Sequence, residues 1–384
     1  MTPVIEVQGL PQNKRRIIFI VAMLLFCITV PISVFYAIGY RFDFTGEVTS
    51  IKSVGGMYVR NDTPNTEMFI NNEPVSDMRV FQKAAYIQNL EAGMHRIHIQ
   101  GADVQTWVKE LPVFAYFVTE VTSFNLPKIP QIRIITKWND QVTGNGIVFD
   151  TATSTKFVFA STTNTLIFST STATTSYSAN VEYTYIKTLF ASSSELQEEI
   201  ALAAKPEVIK AFSFDVPTTT AAIPLATTTK SWRNFTLFQK GEDIYMHWSG
   251  DTSRVPYYYC VNYENEEKTV SEYGQHVFSE LVASVASSSD LLKRKGERIC
   301  RDTIHIDRMQ KKVVWFDYFP DSTDLVLMHL EDGLYVTEVD DRAWQNAQLL
   351  YPGTDIQVIQ DGGRVFVHDG EYYLEVFTEL LPQV

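Results

Sequence analysis

Seven histidines stand in the chain: His95, His98, His247, His276, His305, His329 and His368. None belongs to a His-Glu-x-x-His pattern, which sets two imidazoles one helical turn apart for zinc. His95 and His98 are three residues apart in a segment that reads as a strand. Their side chains therefore point to opposite faces and cannot share an ion. Each histidine is expected at a surface or a strand edge, and no metal site is expected. Gly-x-Ser-x-Gly elbows and phosphate-binding loops of Walker or Rossmann spacing are also missing from the sequence.

Carboxylates offer more. Asp317, Asp321, Asp324, Glu331 and Asp332 gather around two turns. A glycosidase needs two carboxyl groups about 5–10 Å apart around a sugar. Asp at a turn also has a local reason to be there, since its side chain folds back on the backbone. Calcium would want an Asp-x-Asp-x-Asp-Gly series, which the sequence does not contain. The turn reading is expected to hold, and no catalytic residue or cofactor is assigned.

Three cysteines occur. Cys27 falls in an apolar run. Cys260 and Cys300 lie far downstream at a spacing unlike a CxxC metal motif. They are either free thiols or a disulfide, and a bridge would close a loop worth about 4 kcal/mol in the chain-entropy model.

The elements that position these residues begin with residues 17–38, IIFIVAMLLFCITVPISVFYAI, which carry no charge. As a helix they span ~33 Å, enough for a hydrocarbon core of roughly 30 Å. Lys14, Arg15 and Arg16 precede the run, while Arg41 after it is offset by Asp43. The positive-inside rule then places residues 1–16 as a cytoplasmic tail and the bulk outside the plasma membrane. A cleaved signal peptide is the rival reading. Ala37-Ile38-Gly39 loosely fits a cleavage site, but signal peptides have apolar stretches of only about 7–15 residues.

The 24 Phe, 19 Tyr and 6 Trp of the chain, all but four of them beyond the run, argue for packed β-structure rather than disorder. The net charge of −13 disfavours nucleic acid as a partner.

Residues 53–128 read as a small β-domain. Met57 to Arg60 and Glu67 to Ile70 are strand-like, with Asn61-Asp62-Thr63-Pro64 and Asn71-Asn72-Glu73-Pro74 as turns. Leu90-Glu91-Ala92-Gly93 turns into an alternating strand from Met94 to Gln100, and Thr119 to Leu126 closes the set. This order resembles the PEGA domain, named for a Pro-Glu-Gly-Ala motif. At Pro64, Asn65, Thr66 and Glu67 only the proline of that motif is kept, while Leu90, Gly93 and the Phe124–Leu126 strand end match better. The position just after Gly39-Tyr40-Arg41-Phe42-Asp43 and the apolar run agrees with it. The resemblance implies an extracytoplasmic β-sandwich that acts in surface binding or as a spacer, with no catalytic residues.

Between Thr151 and Asn180, 16 of 30 residues are Ser or Thr, punctuated by Phe157-Val158-Phe159 and Leu166-Ile167-Phe168. That is a hairpin pattern, although a disordered stalk has a similar composition. Helices are expected from Ser194 to Lys205 and from His276 to Ser287, with a loop from Pro217 to Thr229.

The clearest repeat is C-terminal. Lys312 to Tyr318, Leu325 to His329 and Leu334 to Val339 form one run of strands. Ile356 to Ile359, Arg364 to His368 and Tyr372 to Phe377 form the next, and the turns Asp332-Gly333 and Asp369-Gly370 lie 37 residues apart. Thr236 to Gln239 and Ile244 to Trp248 fit the same scheme. Residues 131–384 thus resemble TolB-like and WD-type propellers, with room for about five or six irregular blades. An open sandwich is the alternative.

The whole chain is therefore expected to be mainly β: an N-terminal transmembrane helix, a small PEGA-like β-sandwich and an irregular β-propeller-like domain. Its expected role is non-catalytic binding or structure at the cell envelope, toward an envelope protein or glycan. The alternative is an anchored hydrolase of cell-wall polysaccharide, with acidic residues at a propeller mouth.

Overall fold

Helix α1 (Gln12–Ile38) is 27 residues long, and none of its side chains is buried. In this computed structural model, residues 11–43, 50–75, 84–135, 158–159, 166–167, 178–191 and 229–379 are described. At ~1.5 Å per residue, α1 is long and apolar enough to cross a membrane. Pro31 lies inside it. Gly39 ends it in the left-handed region, φ 98°, where its N–H reaches back to the carbonyls of Phe35 and Tyr36.

The chain divides into two compact units. The first comprises Met1–Arg60, Asp77–His95 and Leu111–Val121, and the second Asn61–Ser76, Arg96–Glu110 and Thr122–Val384.

In the first unit, β1 (Tyr40–Asp43) follows α1 after Gly39 alone and pairs with β2 (Ser50–Asn61). Further along the chain come β3 (Glu67–Ile70), β4 (Glu73–Pro74), β5 (Ala84–Glu91), β6 (Gly93–Gln100), β7 (Trp107–Val113) and β8 (Val118–Ser123). β5 and β8 both pair with β2. The β2–β5 register shifts at Gly55-Gly56. A Cβ on Gly55 would stand 2.2 Å from the Phe114 carbonyl, so only glycine lets the loop approach there. Val54, Met57, Val59, Ala85 and Val121 are buried.

β3, β4, β6 and β7 form a sheet of order β4-β3-β6-β7, in which β3, β4, the last residues of β6 and the first of β7 belong to the second unit. Asn71 and Asn72 both have positive φ, as the two-residue turn between β3 and β4 requires. Turn chemistry was legible here because asparagine adopts that conformation more readily than most residues.

Three four-stranded antiparallel sheets follow. β9 (Gln131–Ile135) is held for the last of them. β10 (Val158–Phe159) and β11 (Leu166–Ile167) pair as a hairpin, matching the pattern in the Thr-rich stretch. Helix α2 (Ser178–Phe190) comes next; no helix was expected there. The first sheet contains β12 (Thr229–Trp232), β13 (Phe235–Lys240), β14 (Asp243–Trp248) and, later in the chain, β17. Between them run β15 (Cys260–Tyr263), α3 (Glu266–Tyr273), α4 (Gln275–Ser284), α5 (Ser288–Lys293), β16 (Glu297–Cys300) and β17 (Thr303–Ile306) itself. The helix expected from His276 is α4. Asn265 and Ser287 cap its neighbours α3 and α5 by accepting the N–H of Lys268 and Asp290.

The second sheet is β18 (Val313–Tyr318), β19 (Leu325–Leu330), β20 (Gly333–Glu338) and β21 (Ala347–Pro352). The third is β22 (Gln357–Asp361), β23 (Arg364–Asp369) and β24 (Tyr372–Phe377), completed on the far side of β24 by β9. β18 to β20 and β22 to β24 match the alternating runs read from the sequence to within a residue or two, whereas β21 and β9 were not among those runs. The expected helix from Ser194 and the loop from Pro217 lie outside the described residues, except Thr229, which opens β12. Among the described residues of 131–384 there are three four-stranded sheets.

Candidate functional site

The histidines do not converge. His95 is buried on the same face of β6 as Ile97 and Ile99, its Nε2 2.7 Å from the Glu91 carbonyl, and His329 is buried in β19. Both correct the expectation of surface positions: each takes the inward phase of its strand. The others are spread over separate elements. His98 lies by the Phe69 ring, His247 bonds Thr303, His305 faces Asp243 and His368 stacks on Tyr373. His276 sits 3.6 Å from Asp341, which raises the imidazole's pKa. Among the described residues, no group of three or more His, Cys, Asp or Glu side chains could hold a metal ion.

Cys260 and Cys300 are bridged. They are directly opposed in the β15–β16 register, so the bridge closes the base of the segment that carries α3, α4 and α5. Beside it, fully buried Arg301 pairs with Asp341 and Glu280. Burial alone would raise the Asp341 pKa, but the Arg301 charge and the hydrogen bonds from Arg301 and His276 together outweigh it and leave this carboxyl below its ordinary value.

The five clustered acids separate. Glu331 and Asp332 lie in the turn after β19, whereas Asp321 and Asp324 lie in the turn before it. Six residues of strand at ~3.3 Å each hold the two groups roughly 17 Å or more apart. Asp332 pairs with Lys311 at 2.6 Å and accepts the Tyr335 hydroxyl at 2.9 Å. Asp324 accepts the Tyr258 hydroxyl at 3.1 Å.

Asp317 and Asp321 meet at a pocket of about 330 Å³. Its wall draws on all three C-terminal sheets. β12 gives Lys230, Ser231 and Trp232, the end of β18 gives Asp317 and Tyr318, and Gln360 comes from β22. Lys230 Nζ lies 2.5 Å from Asp317 Oδ2 and 5.4 Å from the centre of the Trp315 ring. The other Asp317 oxygen accepts the Tyr318 N–H at 2.8 Å. Trp232 and Tyr318 lie with ring centres 5.7 Å apart. Burial pushes the Tyr318 hydroxyl up to about 12, so it remains a donor, to the Lys230 carbonyl at 3.2 Å. Gln360 Oε1 is buried and has no hydrogen-bond partner among the described residues. Leaving such an acceptor dry costs about 1–3 kcal/mol.

The arrangement suits binding. Partly exposed Trp232 supplies an apolar surface beside the buried Tyr318 ring, Gln360 lends its side chain to the wall, and the half-buried charge of Asp317 is already paired with Lys230. Sequence reading named Asp317 and Asp321 but not Lys230, Trp232 or Gln360. Lys230 and Trp232 come just after a Thr-rich run with no local signal, and they reach the acids only through the sheet packing.

No family model matches the chain, and neither does any curated protein or solved structure.

Proposed function

We propose that this chain is a single-pass membrane-anchored, extracytoplasmic binding protein of the cell envelope, whose pocket at Trp232 and Tyr318 takes a neutral, hydroxyl-rich ligand of the glycan class. α1 is the anchor, with Lys14, Arg15 and Arg16 on the cytoplasmic side. The disulfide supports an oxidising compartment for the remainder. The β-domain after α1 is read as a PEGA-like spacer. The three four-stranded sheets are read as propeller blades, and the pairing of β9 with C-terminal β24 joins distant parts of the chain as such a ring would need.

The observation that carries the binding reading is the Lys230–Asp317 pair. A carboxylate held 2.5 Å from an ammonium, with its second oxygen on a backbone N–H, is poorly placed to shuttle protons. The test uses the full-length protein in detergent with purified envelope polysaccharide fragments. Retention without release of reducing ends, lost in Trp232→Ala, supports the proposal. No retention at any fragment size removes the glycan reading.

A second reading, the polysaccharide hydrolase, has one observation in its favour: Asp317 and Asp321 share one aromatic-lined pocket. It predicts cleavage abolished by Asp321→Asn, an outcome that would replace the first reading.

A further inference from the structure

We propose that the loop between β7 and β8, led by Tyr116, Phe117 and Val118, rests in the headgroup layer of the bilayer crossed by α1 and holds the first sheet against the membrane surface. The proposal builds on the anchor reading above. Its basis is the absence of a linker. Only Gly39 separates α1 from β1, so the sheet starts where the span ends.

The loop is tied to that same point. Val54 donates its N–H to the Gly39 carbonyl at 2.9 Å, and Tyr116 donates its own to the Val54 carbonyl at 3.0 Å. The Tyr116 ring packs edge-on against Tyr40 at 5.4 Å, and Tyr40 lies 5.2 Å from Phe35 within the helix. The loop therefore shares the level of the last helical turn. Residues 17–38 as helix reach ~33 Å against a hydrocarbon core of roughly 30 Å, which puts that turn at the interface.

Three consecutive large side chains are exposed from the end of this loop into the first residue of β8: Tyr116 at 48%, Phe117 at 62% and Val118 at 47%. In water such a run is a liability. At the headgroup level, aromatic rings with one polar end are at home. Arg41 fits the same layer. Its guanidinium lies 3.5 Å from the centre of the Tyr36 ring and donates to the Tyr36 and Tyr40 carbonyls, so a cation stands where lipid phosphates would be. The occupant implied is the lipid interface itself, continuous with the surface of α1.

The test places a nitroxide spin label on Phe117→Cys, in a Cys27→Ser background, in full-length protein reconstituted into phosphatidylcholine vesicles. Arg60→Cys, at the far end of β2, is the reference. The expected result is an oxygen-to-nickel-chelate accessibility ratio several-fold higher at 117 than at 60. Equal, water-like ratios in protein that stays with the vesicles after carbonate washing would overturn the contact while leaving the anchor standing. Protein released by carbonate would overturn both.

Discussion

Lys109 Nζ lies 2.8 Å from Glu338 Oε1, and both side chains are buried. The ammonium also donates to the Asp340 carbonyl at 2.5 Å. Glu338 is saturated in turn: Trp107 Nε1 reaches its Oε2 at 3.0 Å, and the Asn346 backbone and side-chain N–H groups reach its Oε1 at 2.7 and 2.8 Å. Asp340 is gripped by Arg342 through two side-chain bonds of 2.9 and 2.8 Å. This network joins β7 to the end of β20 across 229 residues of sequence. Burial without partners would be prohibitive for these groups, so the network is a condition of the packing rather than an addition to it.

Removing one partner should therefore be costly. Lys109→Met leaves Glu338 as an uncompensated buried acid, with an expected loss of about 3–5 kcal/mol in denaturant unfolding. The loss should depend on pH. Burial already raises the Glu338 carboxyl, against the pull of Lys109, and without Lys109 it rises further. A carboxyl raised in the folded state gains stability as pH falls and the neutral form takes over. The Met variant should thus recover part of its deficit between neutral and mildly acid pH. A deficit that does not change with pH would show that Glu338 is not the group left unpaired.

Acid should act in the opposite sense on helix α2. Glu182 is held at about 2 by its bonds to Arg133 at 2.6 Å and to Arg364 at 2.8 Å, well below the ordinary 4.5. Glu375, between the same two arginines, is lowered too. A depressed carboxyl contributes stability above its unfolded value and loses it as pH falls toward its folded one. Helix α2, whose Ile186 is buried with Ile135 and Phe366, should therefore begin to detach between about pH 4.5 and 2. Hydrogen exchange across α2 reads this directly. Glu182→Gln should exchange faster at neutral pH and show a flatter acid response.

The bridge makes a simpler prediction. Reducing the full-length protein, or replacing both Cys260 and Cys300 by Ser, should lower unfolding stability by up to about 4 kcal/mol for a loop of this length. Exchange should rise first in α3, α4 and α5, which the bridge encloses. Unchanged protection there would mean that their buried residues, Tyr273, Val277, Leu281 and Leu291 among them, hold the segment alone.

What could be read in advance divides along a physical line. Strands β18 to β20 and β22 to β24 were legible because alternation and Asp-Gly turns are local, and Gly370 adopts the positive φ such a turn demands. α2 was not. Its apolar positions Tyr183, Ile186 and Phe190 do recur at helical spacing, but they follow a Ser/Thr-rich run, and its ion partners lie on β9 and β23. Lys109 sits in a strand whose alternation buries it with Trp107 and Leu111, a placement that makes sense only once Glu338 is known to be opposite. The pocket was half visible. Its acids stood out as a cluster, while the lysine that neutralises one of them belongs to another sheet.

The junction of helix and sheet gives the last test. Gly39 has φ 98°, and a Cβ there would stand 3.0 Å from the Val54 carbonyl and 3.2 Å from the Tyr116 ring. A side chain in that backbone region costs on the order of 1–3 kcal/mol. The crowding falls on both contacts that fasten the sheet and the β7–β8 loop to the helix end. Gly39→Val should therefore leave carbonate-resistant membrane association intact, because the apolar run is untouched. It should loosen β1, β2 and the loop at Tyr116, read as faster amide exchange at Val54 and Tyr116 in reconstituted protein. Gly39→Asn, with a side chain that tolerates left-handed backbone, should fall between valine and wild type. Exchange unaltered in both variants would show that the sheet does not depend on the turn at residue 39.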